Sequence, residues 1–169
     1  MPIPKSLLNF LDKNKVKYEI VKHRVVYTAL DKAATLKLKP QEVAKSVVVS
    51  LDVKYHMLSL IPASKNLDKK KLLALVNKQR QKTKLAPFKK IDFAKEQWMK
   101  KSLKGIKVGA TPAFGIFYKL PTFIDNALIK PSKIIVSAGD YQNSLKIAPA
   151  VLSKLDPTLI KGSFSQKKK

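Results

Sequence analysis

A chain of 169 residues with 45% hydrophobic and 8% aromatic side chains holds the material for one domain's core and is too short for two ordinary domains. The absence of cysteine excludes a disulfide framework, a thiolate zinc site, an iron–sulfur cluster and a cysteine nucleophile. Lys and Arg number 35 against 11 Asp and Glu; the resulting +24 favours polyanionic partners, nucleic acid before anionic membrane.

Residues 4–14 place Leu7, Leu8 and Leu11 on one helical face, with Pro4 near the start. Val16 to Val21 alternates apolar and polar, with Val16, Tyr18 and Ile20 on one side, and predicts a strand running into His23. Thr28 to Leu38 predicts a helix with Thr28 as N-cap and Pro40 as stop. Val43 to Leu51 contains the β-branched run Val47-Val48-Val49 and reads as a buried strand; Tyr55 to Ile61 reads as a second, ended by Pro62. Asp68 caps a helix through about Asn77 whose Leu72, Leu73, Leu75 and Val76 face inward.

Residues 78–90 are basic, contain Pro87 and predict a loop; Asp92 then starts a helix carrying Phe93, Trp98 and Met99. From 105 to 125, Gly105, Gly109, Pro112, Gly115 and Pro121 interrupt apolar residues, which signals turns and close backbone approaches. Strands over Lys133–Ser137 and Ser144–Ile147 join through Ala138-Gly139-Asp140, and Pro149 opens a helix to about Leu155. The expected architecture is one mixed α/β (α+β) domain over residues 1–162 without internal repeats, followed by a disordered basic tail over 163–169. The longest apolar run, Leu72 to Val76, is far short of the ~18 residues of a membrane span, and Asn9 and Asp12 break up any secretory stretch. A soluble cytoplasmic protein is expected.

Only Arg24 and Arg80 are arginines, so the charge consists of mobile ammonium groups, better suited to phosphate attraction than to bidentate base reading. Residues 69–104 carry 13 basic residues against Asp92 and Glu96, which is +11 of the +24. This concentration favours a phosphate-facing patch over a merely lysine-rich composition. No amphipathic basic helix stands out to hold a membrane surface.

Conventional catalytic constellations are absent. Gly-x-Ser-x-Gly and the P-loop pattern do not occur, and His23 and His56 lack the acidic neighbours of a metal site, so no metal is expected. Mid-strand His56 reads as a packed or solvent-facing imidazole, whereas His23 ends a strand beside a turn, where structural and functional roles are equally open. Lys45 opens the apolar strand in Glu42-Val43-Ala44-Lys45-Ser46-Val47; such a lysine ordinarily snorkels to the surface, and the functional alternative is a fixed cation at a cleft mouth. In Gly109-Ala110-Thr111-Pro112-Ala113-Phe114-Gly115, glycines bracket a proline: either an ordinary turn or a stiff loop that offers its peptide groups to a ligand.

With these residues in place the chain resembles the YbaK-like aminoacyl-tRNA deacylases, relatives of the editing domain inserted in bacterial prolyl-tRNA synthetases. The resemblance spans about His23 to Ile147. It rests on His23 with Thr28, Ala44-Lys45-Ser46-Val47, Leu60-Ile61-Pro62-Ala63-Ser64, Asp68, the Gly109–Gly115 loop, Ile124-Asp125 and Ala138-Gly139. It implies a mixed central sheet surrounded by helices and a pocket for the aminoacyl ester at a tRNA 3′ end. It implies that Lys45 contacts the terminal adenosine and its phosphate, and that Gly109 to Ala113, including Pro112, binds the aminoacyl group and positions water. His23, Thr28, Ser46, Ala110, Thr111, Ala113, Phe114, Gly115, Asp125 and Gly139 become candidate substrate-binding residues. Neither a metal nor a cofactor is implied, and the substrate's own ribose hydroxyl assists the reaction.

The implied partner is mischarged aminoacyl-tRNA, with an aminoacyl-tRNA synthetase as a second; whether the protein works alone or beside one stays open. Two departures stand out: Ala113 where the nearest branch has a second proline, and Ala138-Gly139-Asp140-Tyr141 where Ala-Gly-x-His is typical. Tyr141 can hydrogen-bond but is no base near neutral pH. These departures keep open the alternative of a non-catalytic tRNA- or polyanion-binding module of the same fold.

Overall fold

The computed structural model describes residues 3–168. Helix α1 (Lys5–Lys13) follows Pro4 and turns Leu7 and Leu11 fully inward. Strand β1 (Glu19–Lys22) is shorter than the sequence predicts, because Val16 and Tyr18 serve the turn after α1. The Val16 N–H bonds the Leu11 carbonyl at 2.9 Å, and the Tyr18 hydroxyl donates to Asp12 at 2.7 Å. Helix α2 (Ala29–Thr35) is capped as expected, Thr28 Oγ1 accepting the Asp31 N–H at 3.1 Å. It stops short of Leu38, where Lys37 turns left-handed at φ 55°.

The two β-branched segments form the longest pairing. Strand β2 (Ala44–Leu51) runs antiparallel to β3 (Tyr55–Pro62), with Ala44 opposite Pro62 and Leu51 opposite Tyr55. After β4 (Lys65–Leu67), Asp68 caps α3 (Lys69–Lys82) by accepting the Lys71 N–H at 3.1 Å. Helix α3 outlasts its predicted end near Asn77 because the returning chain packs along it. Asn77 bonds the Phe88 backbone at 2.8 and 3.0 Å, and Arg80 Nε donates to the Ala86 carbonyl at 2.6 Å.

Asp92 starts no helix. It lies in β5 (Ile91–Phe93), which pairs with the outer edge of β2 at Val49–Leu51, and α4 (Glu96–Ser102) begins only afterwards. The chain continues through β6 (Thr122–Asp125), β7 (Ile134–Ser137), β8 (Asn143–Ile147), α5 (Ala150–Leu155), β9 (Ile160–Gly162) and β10 (Ser165–Lys167).

A five-stranded mixed sheet of order β5-β2-β3-β6-β9 is central, β3, β6 and β9 running parallel. A three-stranded antiparallel sheet β1-β8-β7 joins it through a bridge between Val43 and Ile135, and β4 pairs with β10. The period-2 alternation of the strands builds a core on each face of the central sheet. Val48, Leu58, Leu60 and Ile124 pack with α1, whereas Val49, Ile61 and Phe123 pack with Leu72 and Val76 of α3. A mixed sheet with helices around it is therefore the fold.

The tail departs from the expected disorder. Phe164 is fully buried, and β10 pairs antiparallel with β4. The anchor is a long-range carboxylate contact that composition does not reveal: Asp125 Oδ1 accepts the Phe164 N–H at 2.9 Å. Lys169 lies outside the described residues. Among those described, no helix is long and apolar enough to cross a membrane.

Candidate functional site

Strand β5 covers β2 only at Val49–Leu51, so among the described residues no strand covers that edge at Lys45–Val47. The Gly109 loop lies beside this stretch. Two adjoining cavities of about 280 and 490 Å³ share Lys45, Ser46 and Gly109 in their walls. Thr28, Lys32, Ala110, Ser137, Asp140 and Lys168 complete the polar and loop side of the smaller one; Asn66, Phe93, Met99, Thr111 and Gln166 contribute to the larger. Lys45 is half-buried, and its pKa is lowered by desolvation first and by the charge of Lys168 second. The Ser46 hydroxyl is buried without a hydrogen-bond partner among the described residues, a cost of ~1–3 kcal/mol kept at the wall of both cavities.

The loop is held from behind. The Lys107 N–H bonds the Gly139 carbonyl at 3.1 Å, the Gly139 N–H bonds the Ala110 carbonyl at 2.8 Å, and the Ala113 N–H bonds the Ser137 carbonyl at 3.3 Å. Tyr141 adds its hydroxyl, donated to the Val108 carbonyl, and its ring meets Tyr27 edge-on at 4.8 Å between centroids. Gly109 takes φ +86°, and a Cβ there would lie 3.0 Å from the Tyr27 carbonyl, so a glycine is needed for this approach to the start of α2. Pro112, Ala113 and Phe114 are buried and fix the far end of the loop. Gly115 has no room for a side chain, since a Cβ would come within 2.7 Å of the Leu120 carbonyl. Among the described residues the N–H groups of Gly109 and Thr111 have no acceptor, so the braced loop keeps two donors free beside Lys45.

The other candidates serve different ends. His23 Nδ1 faces the Arg24 carbonyl at 2.8 Å and must donate, leaving Nε2 to accept from the Ser144 hydroxyl at 2.9 Å; burial lowers its pKa. It lines neither cavity. Asp125 also lies apart from both, its carboxylate accepting the Ala127 and Phe164 N–H groups. Gly139 acts through the two backbone bonds given above. Phe114 and Gly115 anchor the loop rather than line a cavity.

Lys32 was not among the sequence candidates. Only 5% exposed, it donates to Ser137 Oγ at 3.0 Å on the wall of the smaller cavity. Burial pushes its pKa down to about 8, opposed by the nearby charge of Asp140. Asp140 is itself buried and accepts from Asn143 Nδ2 at 2.5 Å. The one available signal was the spacing that places Lys32 beside Ala33 on the inner face of α2. Among the described residues no group of three metal-ligating side chains occurs.

Sequence comparison with curated proteins gives no match. Solved structures of low identity share the fold, among them two that span nearly the whole chain. The hypothetical protein APE2540 superposes with a TM-score of 0.80 at 16% identity, over 96% of this chain and 100% of its own. A candidate trans-editing enzyme for prolyl-tRNA synthetase superposes with a TM-score of 0.78 at 18% identity, over 99% of this chain and 100% of its own. The family model of the aminoacyl-tRNA editing domain matches residues 23–155, from the histidine before α2 to the last helix, and the chain belongs to that family.

Proposed function

We propose that this chain is a trans-acting aminoacyl-tRNA deacylase. Water adds to the ester carbonyl of a mischarged tRNA, the bond to the ribose oxygen breaks, and a free amino acid and an uncharged 3′ end result. The observation that carries this reading is the meeting of Lys45 and the Gly109–Thr111 part of the braced loop at two adjoining cavities. Lys45 takes the terminal adenosine and its phosphate. The free N–H groups of Gly109 and Thr111 take the aminoacyl carbonyl oxygen, where stabilising the developing negative charge is worth most, and the loop backbone positions the attacking water. Pro112 and Ala113 keep the loop stiff, Ser46, Ala110 and Thr28 shape the wall, and the substrate's neighbouring ribose hydroxyl assists. The basic segment reaches the same place: Lys69 Nζ sits 4.7 Å from the ring centroid of Phe93, which lines the larger cavity.

A second site of this kind answers a physical need. A synthetase pocket separates side chains differing by one methylene by only ~1–3 kcal/mol. The test is deacylation of tRNAs charged with Ala, Ser, Thr and Pro. Lys45→Ala lowers the rate at least tenfold, about 1.4 kcal/mol of barrier, with a nearly unchanged melting temperature. Equal rates for variant and parent reject Lys45 as a site residue. Tyr141 favours a second reading, because its hydroxyl is committed to the loop and no imidazole stands in its place. On that reading the chain binds tRNA in a salt-dependent way and cleaves none of the four esters.

A further inference from the structure

We infer that the C-terminal segment is a working part of the site, with Lys168 and Lys45 together holding one phosphodiester at the tRNA 3′ end. The segment lies beyond the family match, which ends at residue 155. It rests on the proposed function only for the identity of the anion.

Strand geometry carries the argument. Side chains two apart share a face of a strand, so within β10 Gln166 projects to one side and Ser165 and Lys167 to the other, with Phe164 and Lys168 flanking the strand. Phe164 is fully buried and locked by Asp125, and β10 is registered on β4 with Ser165 opposite Leu67 and Lys167 opposite Lys65. From that anchor Gln166 reaches the wall of the larger cavity and Lys168 the wall of the smaller. Among the described residues the smaller cavity thus carries Lys32, Lys45 and Lys168 against the carboxylate of Asp140. Asp140 is engaged by Asn143 Nδ2 and the Gln142 N–H. Lys45 and Lys168 come from different elements and repel each other in the free protein, since the charge of Lys168 is felt at Lys45. An anion between them removes that repulsion, and a phosphodiester is the anion that an RNA 3′ end supplies.

The test is titration of the full chain with adenosine 5′-monophosphate and with adenosine, plus uncharged tRNA at several salt concentrations. The parent prefers the monophosphate. Lys168→Ala weakens the monophosphate about tenfold and leaves adenosine unchanged, Lys168→Arg restores it, and Lys45→Ala weakens both ligands. Lys167→Ala, on the face of β10 opposite Gln166, changes neither. With tRNA, Lys168→Ala also lowers the salt slope by about one. Equal weakening by Lys167→Ala and Lys168→Ala would make the effect one of overall charge and overturn the assignment. So would a parent chain that does not distinguish the two ligands. Loss of all four deacylations with monophosphate selectivity intact counts against the enzyme reading alone. Intact deacylation with an indifferent Lys168 counts against this inference alone.

Discussion

A lysine enclosed at 5% exposure is costly in its charged form, and Lys32 shows this in its proton affinity, about 8 against 10.5 in the unfolded chain. The folded state therefore gives up its proton first. Between those two values unfolding takes up a proton, so stability rises with pH across this window and is lowest below it. The gain amounts to about 3 kcal/mol. Urea denaturation of the parent across pH 7.5 to 10.5 follows that rise, whereas Lys32→Met keeps only the smaller rise due to Lys45; parallel curves would show that Lys32 keeps an ordinary affinity. At this scale the sequence was legible where chemistry is local. Lys45 opens a β-branched run and Gly109 brackets a proline, and both stand at the cavities. Lys32 was not legible, because nothing near it in the chain reveals that Ser137 and Asp140, more than a hundred residues on, close over it. Asp125 stands apart from the cavities for the converse reason: its carboxylate is used by the backbone of a residue 39 positions away.

Among the elements, those with several repeats of a pattern were readable. The β2–β3 pair and the capped starts of α2 and α3 fall where the β-branched run, Pro62 and the cap residues place them. The three-residue strands β4, β5, β9 and β10 were missed, since so few residues hold no period and each is made by the strand it joins. For β10 the anchoring side chain is Phe164, which packs with Leu67, Leu72 and Phe123. Phe164→Ala removes a full ring from this cluster and costs about 3–5 kcal/mol in denaturant unfolding. It also frees the amides of β10 to exchange hydrogen with solvent ahead of those in β2 and β3. Unchanged protection of β10 in that variant would show that backbone pairing with β4 holds the tail without the ring.

The whole molecule carries +24 after its 11 carboxylates are set against 35 lysines and arginines, and among the described residues its surface ion pairs are Lys90–Asp92 at 3.7 Å and Lys100–Glu96 at 3.3 Å. Unneutralised lysines repel one another across a surface where the screening length falls from ~30 Å at 0.01 M salt to ~8 Å at 0.15 M. Added salt over that range raises the melting temperature of the free protein and weakens its hold on tRNA. The opposed signs separate self-repulsion from phosphate contact. Position separates a functional patch from plain composition. Replacing Lys69, Lys70 and Lys71 by Gln, or Lys5, Lys13 and Lys17 by Gln, removes three charges each time. The two triples shift the melting temperature alike if repulsion alone matters. Only the first stands at the start of α3, where Lys69 overhangs Phe93 at the rim of the larger cavity. The first triple therefore lowers the slope of log affinity against log salt by two to three phosphate contacts, at ~0.7–0.9 each, and the second leaves it nearly unchanged. Equal slopes for the two triples would assign the lysine excess to composition and leave Lys45 and Lys168 as the cations that meet the RNA.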